Sequence, residues 1–145
     1  IDDEEVWQAQ PMDTRKIVVD GSNVAYEERS HDGKPRVSNI VRMRQELERL
    51  GYDPTVIIDA TLRHEIDDPQ QLEGLIESGA IFQAPARAEA DYFIIETART
   101  EDALILSNDM FERWVDKDPW VNERRVPYMI IHGDIQVHRP DLDEG

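Results

Sequence analysis

The 145-residue sequence contains no cysteine, which excludes both a disulfide framework and a zinc site built on thiolates. Any metal ion would have to be held by oxygen or imidazole ligands. The four histidines lack the spacing of a paired metal-binding motif, and each is expected to be a surface or packed side chain; they are His31, His64, His132 and His138. This composition therefore favours a hard divalent cation on carboxylate oxygens.

The sequence also lacks a long apolar stretch. No segment approaches the ~18 consecutive apolar residues of a membrane-spanning helix. The acidic start of the sequence, IDDEEVW, has none of the features of a secretory signal peptide. We therefore expect a soluble, cytoplasmic protein without membrane association. Because the sequence does not begin with methionine, it is expected to be a processed or excised part of a longer protein.

Positive charge is scarce, since 16 Lys and Arg residues face 32 Asp and Glu residues and the formal net charge is -16. Nucleic-acid-binding proteins normally carry a basic patch, so this balance argues against a polyanionic partner. Bound metal would neutralise some carboxylates, and a local field can oppose the net charge. One local cluster of positive charge, which we call the basic island, comprises Arg29, Lys34, Arg36, Arg42 and Arg44.

A chain of this length with 39% hydrophobic residues can bury one core, so the sequence predicts a single domain. We place this domain at residues 14–138. Residues 1–13 are expected to form an acidic, loosely ordered segment, and residues 139–145 an acidic tail.

Strands and helices are predicted to alternate along this domain. Residues 16–20 (KIVVD) are typical of a buried strand, and residues 21–23 (GSN) have the composition of the turn that ends one. Apolar residues at helical spacing predict a helix over residues 38–50, with Ser38 as its cap and Gly51 as its end. The other predicted elements are strand 55–59, helix 72–78, strand 80–82, helix 88–99, strand 103–106, helix 110–115 and strands 126–131 and 135–138.

This alternation predicts an α/β fold, a doubly wound and mostly parallel sheet with helices on both faces. The last two strands flank Gly133 and Asp134, and they form either a terminal hairpin or one bent strand. In such sheets, ligands bind beyond the carboxyl ends of the strands, where the strand order reverses. Functional side chains are therefore expected at the strand ends.

Acidic residues occupy several of these positions. Asp20 and Asp59 end the first two strands, Asp109 follows the fourth, and Asp91 lies in the first turn of the helix before it. Converging carboxylates repel one another strongly at reduced dielectric unless a cation is bound. Magnesium prefers a few carboxylates and several waters, and it can activate a water for phosphodiester cleavage. The sequence therefore predicts a Mg²⁺ or Mn²⁺ site at one edge of the sheet.

Asn23 and the turn amides before it are expected to assist at this edge, by hydrogen bonding to a carboxylate or a phosphate oxygen. The aspartates also have a structural interpretation. Asp20 before a glycine is ordinary turn chemistry, Asp91 favours a helix N-terminus, and Asp109 is suited to cap the helix at 110–115. Their joint placement at one edge favours the functional interpretation.

Three blocks of sequence carry a resemblance to a known family. They are residues 17–25 (IVVDGSNVA), residues 90–95 (ADYFII) with 106–111 (LSNDMF), and residues 122–129 (NERRVPYM). In these blocks the chain resembles the PIN-like NYN nucleases, specifically the ribonuclease domain of Regnase-type CCCH zinc-finger proteins. The resemblance implies a PIN-like sheet and magnesium-dependent endonucleolytic cleavage of single-stranded or loop RNA. It also implies catalytic, metal-organising roles for Asp20, Asp91 and Asp109, with Asn23 assisting.

The chain departs from this family in two respects. Ala90 precedes Asp91 where the family usually has two adjacent aspartates, and Glu89 and Asp59 are the candidates to replace the missing carboxylate. The zinc finger that helps the family to choose its RNA is also missing, as the lack of cysteine requires. Substrate selection is therefore assigned to another part of a larger protein, to a partner, or to the basic island. The residues predicted to contact the substrate are Ser22, Arg36, Arg42 and Asn108.

Three functions are left open by these patterns. The preferred one is a metal-dependent endoribonuclease that cleaves RNA phosphodiester bonds with metal-activated water. A catalytically degenerate PIN-like module that binds RNA or protein is the main alternative, and Ala90 and the acidic surface support it. A DNA-directed nuclease or a phosphatase would use the same carboxylates, because a fold does not fix a function.

The sequence leaves the oligomeric state open between a homodimer and part of a larger protein. Trp114 and Trp120 are expected to pack in the core rather than to stack on bases.

Overall fold

The computed structural model describes residues 15–86, 89–115 and 118–138, so the predicted segments 1–13 and 139–145 lie outside the described residues. The strands are β1 (Arg15–Asp20), β2 (Tyr52–Ile58), β3 (Ile81–Gln83), β4 (Leu104–Leu106), β5 (Arg125–Val126), β6 (Tyr128–Ile131) and β7 (Asp134–Val137). Five of them form a parallel sheet in the order β3-β2-β1-β4-β5, and β6 pairs with β7 in a separate antiparallel hairpin.

Helices connect these strands. They are α1 (Gly21–Glu27), α2 (Val37–Arg49), α3 (Leu62–Glu65), α4 (Pro69–Glu77), α5 (Ala90–Glu101), α6 (Glu112–Val115) and α7 (Pro119–Arg124). In the described part of the chain, none of them combines the length and the apolar character needed to cross a membrane.

Side chains of the central strand β1 alternate between two buried faces, as expected of a parallel sheet that is covered on both sides. Ile17 and Val19 enter one core and Val18 enters the other, and all three are fully buried. Helices α1 to α4 close the first core, and α5 to α7 close the second. The predicted doubly wound α/β fold with helices on both faces is therefore confirmed.

The order of the strands creates the crevice in which a site is expected. From β1 the sheet first grows through β2 to β3, and the chain then crosses over to place β4 on the other side of β1. In the resulting register, Val19 pairs with Val56 of β2 and with Leu106 of β4. The strand order thus reverses between β1 and β4, and a crevice opens beyond their carboxyl ends.

The prediction of a turn at residues 21–23 was wrong, because helix α1 begins directly after β1. The Asp20 carboxylate accepts a hydrogen bond from Asn23 N–H at 3.3 Å and so caps this helix. The first helical residue must be glycine, since a Cβ at Gly21 would lie 2.7 Å from Ile58 Cγ2 and 2.8 Å from Val56 Cγ1. The start of α1 therefore packs directly on β2.

The cap predicted for the next helix was also wrong. Helix α2 begins at Val37 rather than after Ser38, and the Val37 N–H donates to Asp67 Oδ1 at 2.9 Å. Asp67 lies 30 positions further along the chain, between α3 and α4. The start of α2 is therefore capped by a long-range contact with Asp67 and not by Ser38.

The C-terminal part of the domain differs from the prediction in its division into elements. Helix α7 was not predicted, and the strand expected over residues 126–131 is split at Pro127 into β5 of the parallel sheet and β6 of the hairpin. Between β6 and β7, His132 and Gly133 form a two-residue turn with φ values of 52° and 80°. The last two strands therefore form a hairpin rather than one bent strand.

Two other predicted helices shift at their ends. The helix expected over residues 88–99 is α5, which continues to Glu101, and residue 88 lies outside the described part of the chain. The helix expected over residues 110–115 begins only at Glu112, because buried Phe111 takes a left-handed conformation with φ of 52°. The loop after β4 is therefore longer than predicted.

Replacing Gly21 by alanine is expected to lower the free energy of unfolding by about 1–3 kcal/mol, because the new methyl group would meet buried β-branched side chains of β2. Gly74 in α4 is the matched control, since no atom lies within 4 Å of its Cβ position. Gly74→Ala is expected to raise the free energy of unfolding by up to about 1 kcal/mol. Urea denaturation of both variants measures the two effects, and changes of the same sign would contradict this account of the packing.

Candidate metal centre

Three aspartates meet at the crevice between β1 and β4. Asp20 ends β1, Asp109 follows β4, and Asp91 lies in the first turn of α5. One carboxylate oxygen from each residue lies within 4.8 Å of the other two. The parallel pairing of β1 with β4 brings the first two together, and the crossover through α5 adds the third. The structure therefore brings together three residues that the sequence analysis assigned to one metal site.

Asp20 is the buried member of this group, with 7% of its surface exposed. Its Oδ2 accepts a hydrogen bond from Ser107 Oγ at 2.8 Å, and its Oδ1 accepts the bond from Asn23 N–H. The pKa of Asp20 is raised to about 7, chiefly because burial disfavours the charged form, while the hydrogen bonds from Ser107 and Asn23 act in the opposite direction. The negative charges of Asp91 and Asp109 raise this pKa further.

Asp109 is exposed, and the turn after β4 fixes its position. Ser107 is fully buried, and its Oγ accepts a hydrogen bond from Asp109 N–H at 3.0 Å while it donates to Asp20. The Asp109 Oδ1 in turn accepts from Phe111 N–H at 2.9 Å. One serine hydroxyl therefore links the ends of β1 and β4 and sets the distance between two of the three carboxylates.

Asp91 is half-buried at the start of α5. Its pKa is raised, first by burial and then by the negative charges of Asp109 and Glu89, whereas the guanidinium of Arg113 acts in the opposite direction. Both Asp91 and Asp109 line a cleft of about 320 Å³ that opens to solvent beside the three carboxylates. A ligand can therefore approach the group from this side.

The donor set fits a hard divalent cation. Three carboxylates supply oxygen ligands and mutual repulsion, and a cation would remove the repulsion. Exposed acidic groups often stand together without a metal, but Asp20 is buried and the pKa values of both Asp20 and Asp91 are raised. Three protein carboxylates would leave coordination positions for water and a substrate phosphate, as Mg²⁺ prefers.

Asn23 lies next to this group and is held by its carbonyl oxygen. Its Oδ1 accepts two hydrogen bonds, from Asn108 N–H at 3.0 Å and from Tyr128 Oη at 2.6 Å. Because the Asn108 N–H can only donate, its partner must be the amide oxygen of Asn23, which fixes the orientation of this side chain and leaves Nδ2 as a donor. No partner of Nδ2 is found among the described residues, so this group is available to an incoming acceptor.

Two residues predicted to contact substrate have structural partners instead. The Asn108 side chain donates to Tyr128 O at 2.9 Å and accepts from Tyr128 N–H at 3.0 Å, which clamps the start of β6 to the end of β4. The Ser22 Oγ accepts from Asp59 N–H at 3.0 Å and joins α1 to the end of β2. Both side chains support the walls of the site, and their contact with substrate stays a prediction.

The two candidates to replace the missing carboxylate lie outside the group of three. The Asp59 Oδ1 accepts from Thr61 N–H, Thr61 Oγ1 and Leu62 N–H, so that it caps α3. The Glu89 carboxylate pairs with Arg113 at 2.8 Å. Their charges still reach Asp91, whose pKa both of them raise. As direct metal ligands they remain predictions.

The contacts of the basic island lie away from the three aspartates. The Arg42 guanidinium lies against Gly133 in the hairpin turn, and Arg36 lies near Glu28, which binds that same turn. Arg44 pairs with Glu48 at 3.5 Å. Contact of Arg36 and Arg42 with substrate therefore stays a prediction without support from their position.

The tryptophans pack as expected. Trp114 and Trp120 lie partly buried against the second core. The guanidinium groups of Arg99 and Arg124 both lie over the ring of Trp120, at 4.8 Å and 4.9 Å from its centre. The Trp120 ring thus packs on the core and contacts two arginines, in agreement with the predicted packing role.

Two residues of the site were missed by the sequence analysis. Ser107 positions Asp20 and Asp109, and Tyr128 orients Asn23. Ser107 stands in the serine-asparagine-aspartate turn and Tyr128 in the block 122–129, so both fell within segments that had been singled out. Both residues act through hydroxyl groups, whereas the prediction of the site was based mainly on carboxylates.

Comparisons with known proteins identify the family and the fold of this chain. A model of the Zc3h12a-like ribonuclease NYN domain matches residues 13–145. No curated protein matches the sequence of this chain closely enough to count as a relative.

Among solved structures, two of nuclear protein-only RNase P 2 from Arabidopsis thaliana are similar to this chain. One has a TM-score of 0.69 and 19% sequence identity, and the alignment covers 94% of this chain and 32% of that one. The other has a TM-score of 0.68 and 18% identity, with 94% and 34% covered. The chain thus spans about a third of the length of these structures, and the likeness confirms the predicted PIN-like fold. Because the family model matches nearly the whole sequence, the chain belongs to the Zc3h12a-like ribonuclease NYN domain family.

Proposed function

We propose that this domain is a metal-dependent endoribonuclease, which holds Mg²⁺ or Mn²⁺ on Asp20, Asp91 and Asp109 and hydrolyses RNA phosphodiester bonds. The observation that carries this proposal is the approach of one oxygen from each of these residues to within 4.8 Å of the other two. Membership of a ribonuclease domain family supports RNA as the substrate.

The three aspartates differ in burial, and we infer different roles for them from this difference. Buried Asp20 is fixed by two hydrogen bonds and anchors the site, whereas Asp91 and Asp109 face the solvent-filled cleft. A divalent cation, when bound, neutralises the carboxylates, acidifies a water and stabilises the charge on the leaving oxygen. The protein contributes the rigid placement of its three oxygen donors.

Asn23 is proposed to orient the scissile phosphate. Its Oδ1 is occupied by Asn108 N–H and Tyr128 Oη, so only the donor Nδ2 is presented to a ligand. A phosphate oxygen accepts hydrogen bonds and cannot donate them, so the fixed amide suits a phosphodiester. Tyr128 is a positioning residue in this proposal, because it acts through Asn23.

Single-stranded or loop RNA is the proposed substrate. The chain spans about a third of the RNase P 2 structures that it resembles, and the arginines Arg42 and Arg44 of the basic island contact the hairpin and Glu48 rather than the cleft. Selection among RNAs is therefore proposed to depend on further parts of a longer protein or on a partner. The alternative of a degenerate binding module is supported by Ala90, which supplies no carboxylate beside Asp91.

Metal binding is expected to stabilise the native state. At a free Mg²⁺ or Mn²⁺ concentration of about 100 times Kd the gain is about 2.7 kcal/mol, which raises Tm by several degrees, and EDTA should reverse it. Asp109→Asn should lose most of this shift but keep its Tm in EDTA, because asparagine can still accept from Phe111 N–H and one repelling charge is gone. Asp102→Asn, at the exposed far end of α5, is the control and should keep the shift. Thermal unfolding that does not respond to millimolar metal would favour the degenerate module.

Cleavage is the direct test of the proposal. The domain should cut a circular single-stranded RNA, which has no ends, with Mg²⁺ or Mn²⁺ and not with EDTA. Asp20→Asn and Asp109→Asn should each lower the rate by about 100-fold or more, while Asp102→Asn should leave it unchanged. Rates are measured by gel electrophoresis beside a circular DNA of the same sequence. Equal cleavage of DNA would overturn the RNA assignment, and a metal-induced Tm shift without any cleavage would overturn the enzyme.

A further inference from the structure

The cleft beside the three aspartates is partly apolar. Among the described residues, the most exposed large apolar side chains are Phe82, Tyr92, Met110, Met129 and Ile131. Two of them, Tyr92 and Met110, directly follow the proposed metal ligands Asp91 and Asp109 in sequence. Met110 lines the cleft together with these aspartates, Arg113 and Trp114. Two exposed apolar side chains therefore stand next to the proposed metal ligands in sequence, and one of them lines the cleft.

Tyr92 presents a partly exposed ring that contacts Trp114 in the wall of this cleft. It is 47% exposed, and its ring is held by an edge contact with Phe93 at 5.5 Å and a tilted contact with Trp114 at 6.2 Å between ring centres. The tilt between Tyr92 and Trp114 is 44°, so no base could lie flat between them. A base would instead stack on the exposed part of the Tyr92 ring, which its neighbours hold in place.

Positive charge stands beside Trp114, the ring that Tyr92 contacts. The Arg113 side chain is 73% exposed, and its guanidinium lies 5.9 Å from the centre of the Trp114 ring. It pairs with Glu89 at 2.8 Å, and exposed ion pairs of this kind contribute little to stability and exchange readily. A phosphate that follows the stacked base along the strand can therefore take the place of the Glu89 carboxylate.

From these contacts we infer that Tyr92 forms a subsite for one unpaired nucleobase, next to the scissile phosphate, with Met110 and Arg113 at its border. The inference rests on the proposed nuclease function and deepens it. Arg42 and Arg44 of the basic island contact the hairpin and Glu48 rather than the cleft, whereas stacking on an aromatic ring needs no positive charge. The subsite accepts single strands and loops, because a paired base is not free to stack. It tolerates all four bases, since each of them has a flat face.

The test compares Tyr92→Ala with Tyr92→Phe and with Ile131→Ala, an equally exposed apolar residue on the hairpin. Tyr92→Ala should raise KM for single-stranded RNA about tenfold, and the other two variants should behave as the parent domain. The tenfold factor should hold between 50 and 200 mM KCl, because stacking releases no counterions. The metal-induced Tm shift should be the same in all four proteins, which shows that Asp91 has not moved.

A substrate with one abasic nucleotide identifies the stacked base. Removing the base beside the cleaved bond should raise KM for the parent domain about tenfold and should change nothing further in Tyr92→Ala. An abasic penalty that is equal in both proteins, or an unchanged KM in Tyr92→Ala, overturns the subsite. If the parent domain does not cleave RNA, the nuclease proposal fails, but the subsite can still be tested by RNA binding. Fluorescence anisotropy of the labelled RNA then decides the subsite, with about tenfold weaker binding by Tyr92→Ala in its favour and equal binding against it.

Discussion

A buried hydrogen bond from Ser107 Oγ to Asp20 Oδ2, 2.8 Å long, joins the ends of β1 and β4 across 87 positions of sequence. The same hydroxyl accepts from Asp109 N–H, so a single side chain sets the position of two carboxylates. This link is possible only because β4 pairs directly with β1, at the point where the strand order of the sheet reverses. The pairing of β4 with β1 therefore determines where the crevice lies, how the turn at Asp109 is oriented and where α5 approaches the site.

The three neighbouring carboxylates repel one another, and hydrogen bonds within the fold offset part of this repulsion. Burial raises the pKa of Asp20, while hydrogen bonds from Ser107 and Asn23 favour its charged form. The structural and functional interpretations of these aspartates are also compatible. Asp20 caps α1 and Asp109 accepts from Phe111 N–H, yet each keeps an oxygen within reach of Asp91. A helix cap and a metal ligand can thus be the same residue, because each oxygen of a carboxylate has more than one lone pair.

The chain is acidic and its proposed substrate is a polyanion, so the positions of individual arginines matter more than the net charge. The basic island appeared as one cluster in the sequence, but Arg42 and Arg44 stand two positions apart on α2 and so point to different sides of the helix. Arg42 meets the hairpin, whereas Arg44 pairs with Glu48. The charge that does stand at the cleft is Arg113, beside aromatic rings. In the proposed function, a metal cation, base stacking and one arginine would take the place of a broad basic surface.

The sequence by itself determined the alternation of strands and helices, the buried character of β1 and the helix that is now α2, because these depend on local periodicity and composition. It also placed acidic residues at the strand ends. Only the tertiary structure decided that Asp91 joins Asp20 and Asp109 while Asp59 caps α3 instead. The same is true of the cap of α2 by a residue 30 positions away. The physical reason is that strand order and long-range hydrogen bonds depend on how distant segments pack, which no local pattern of residues records.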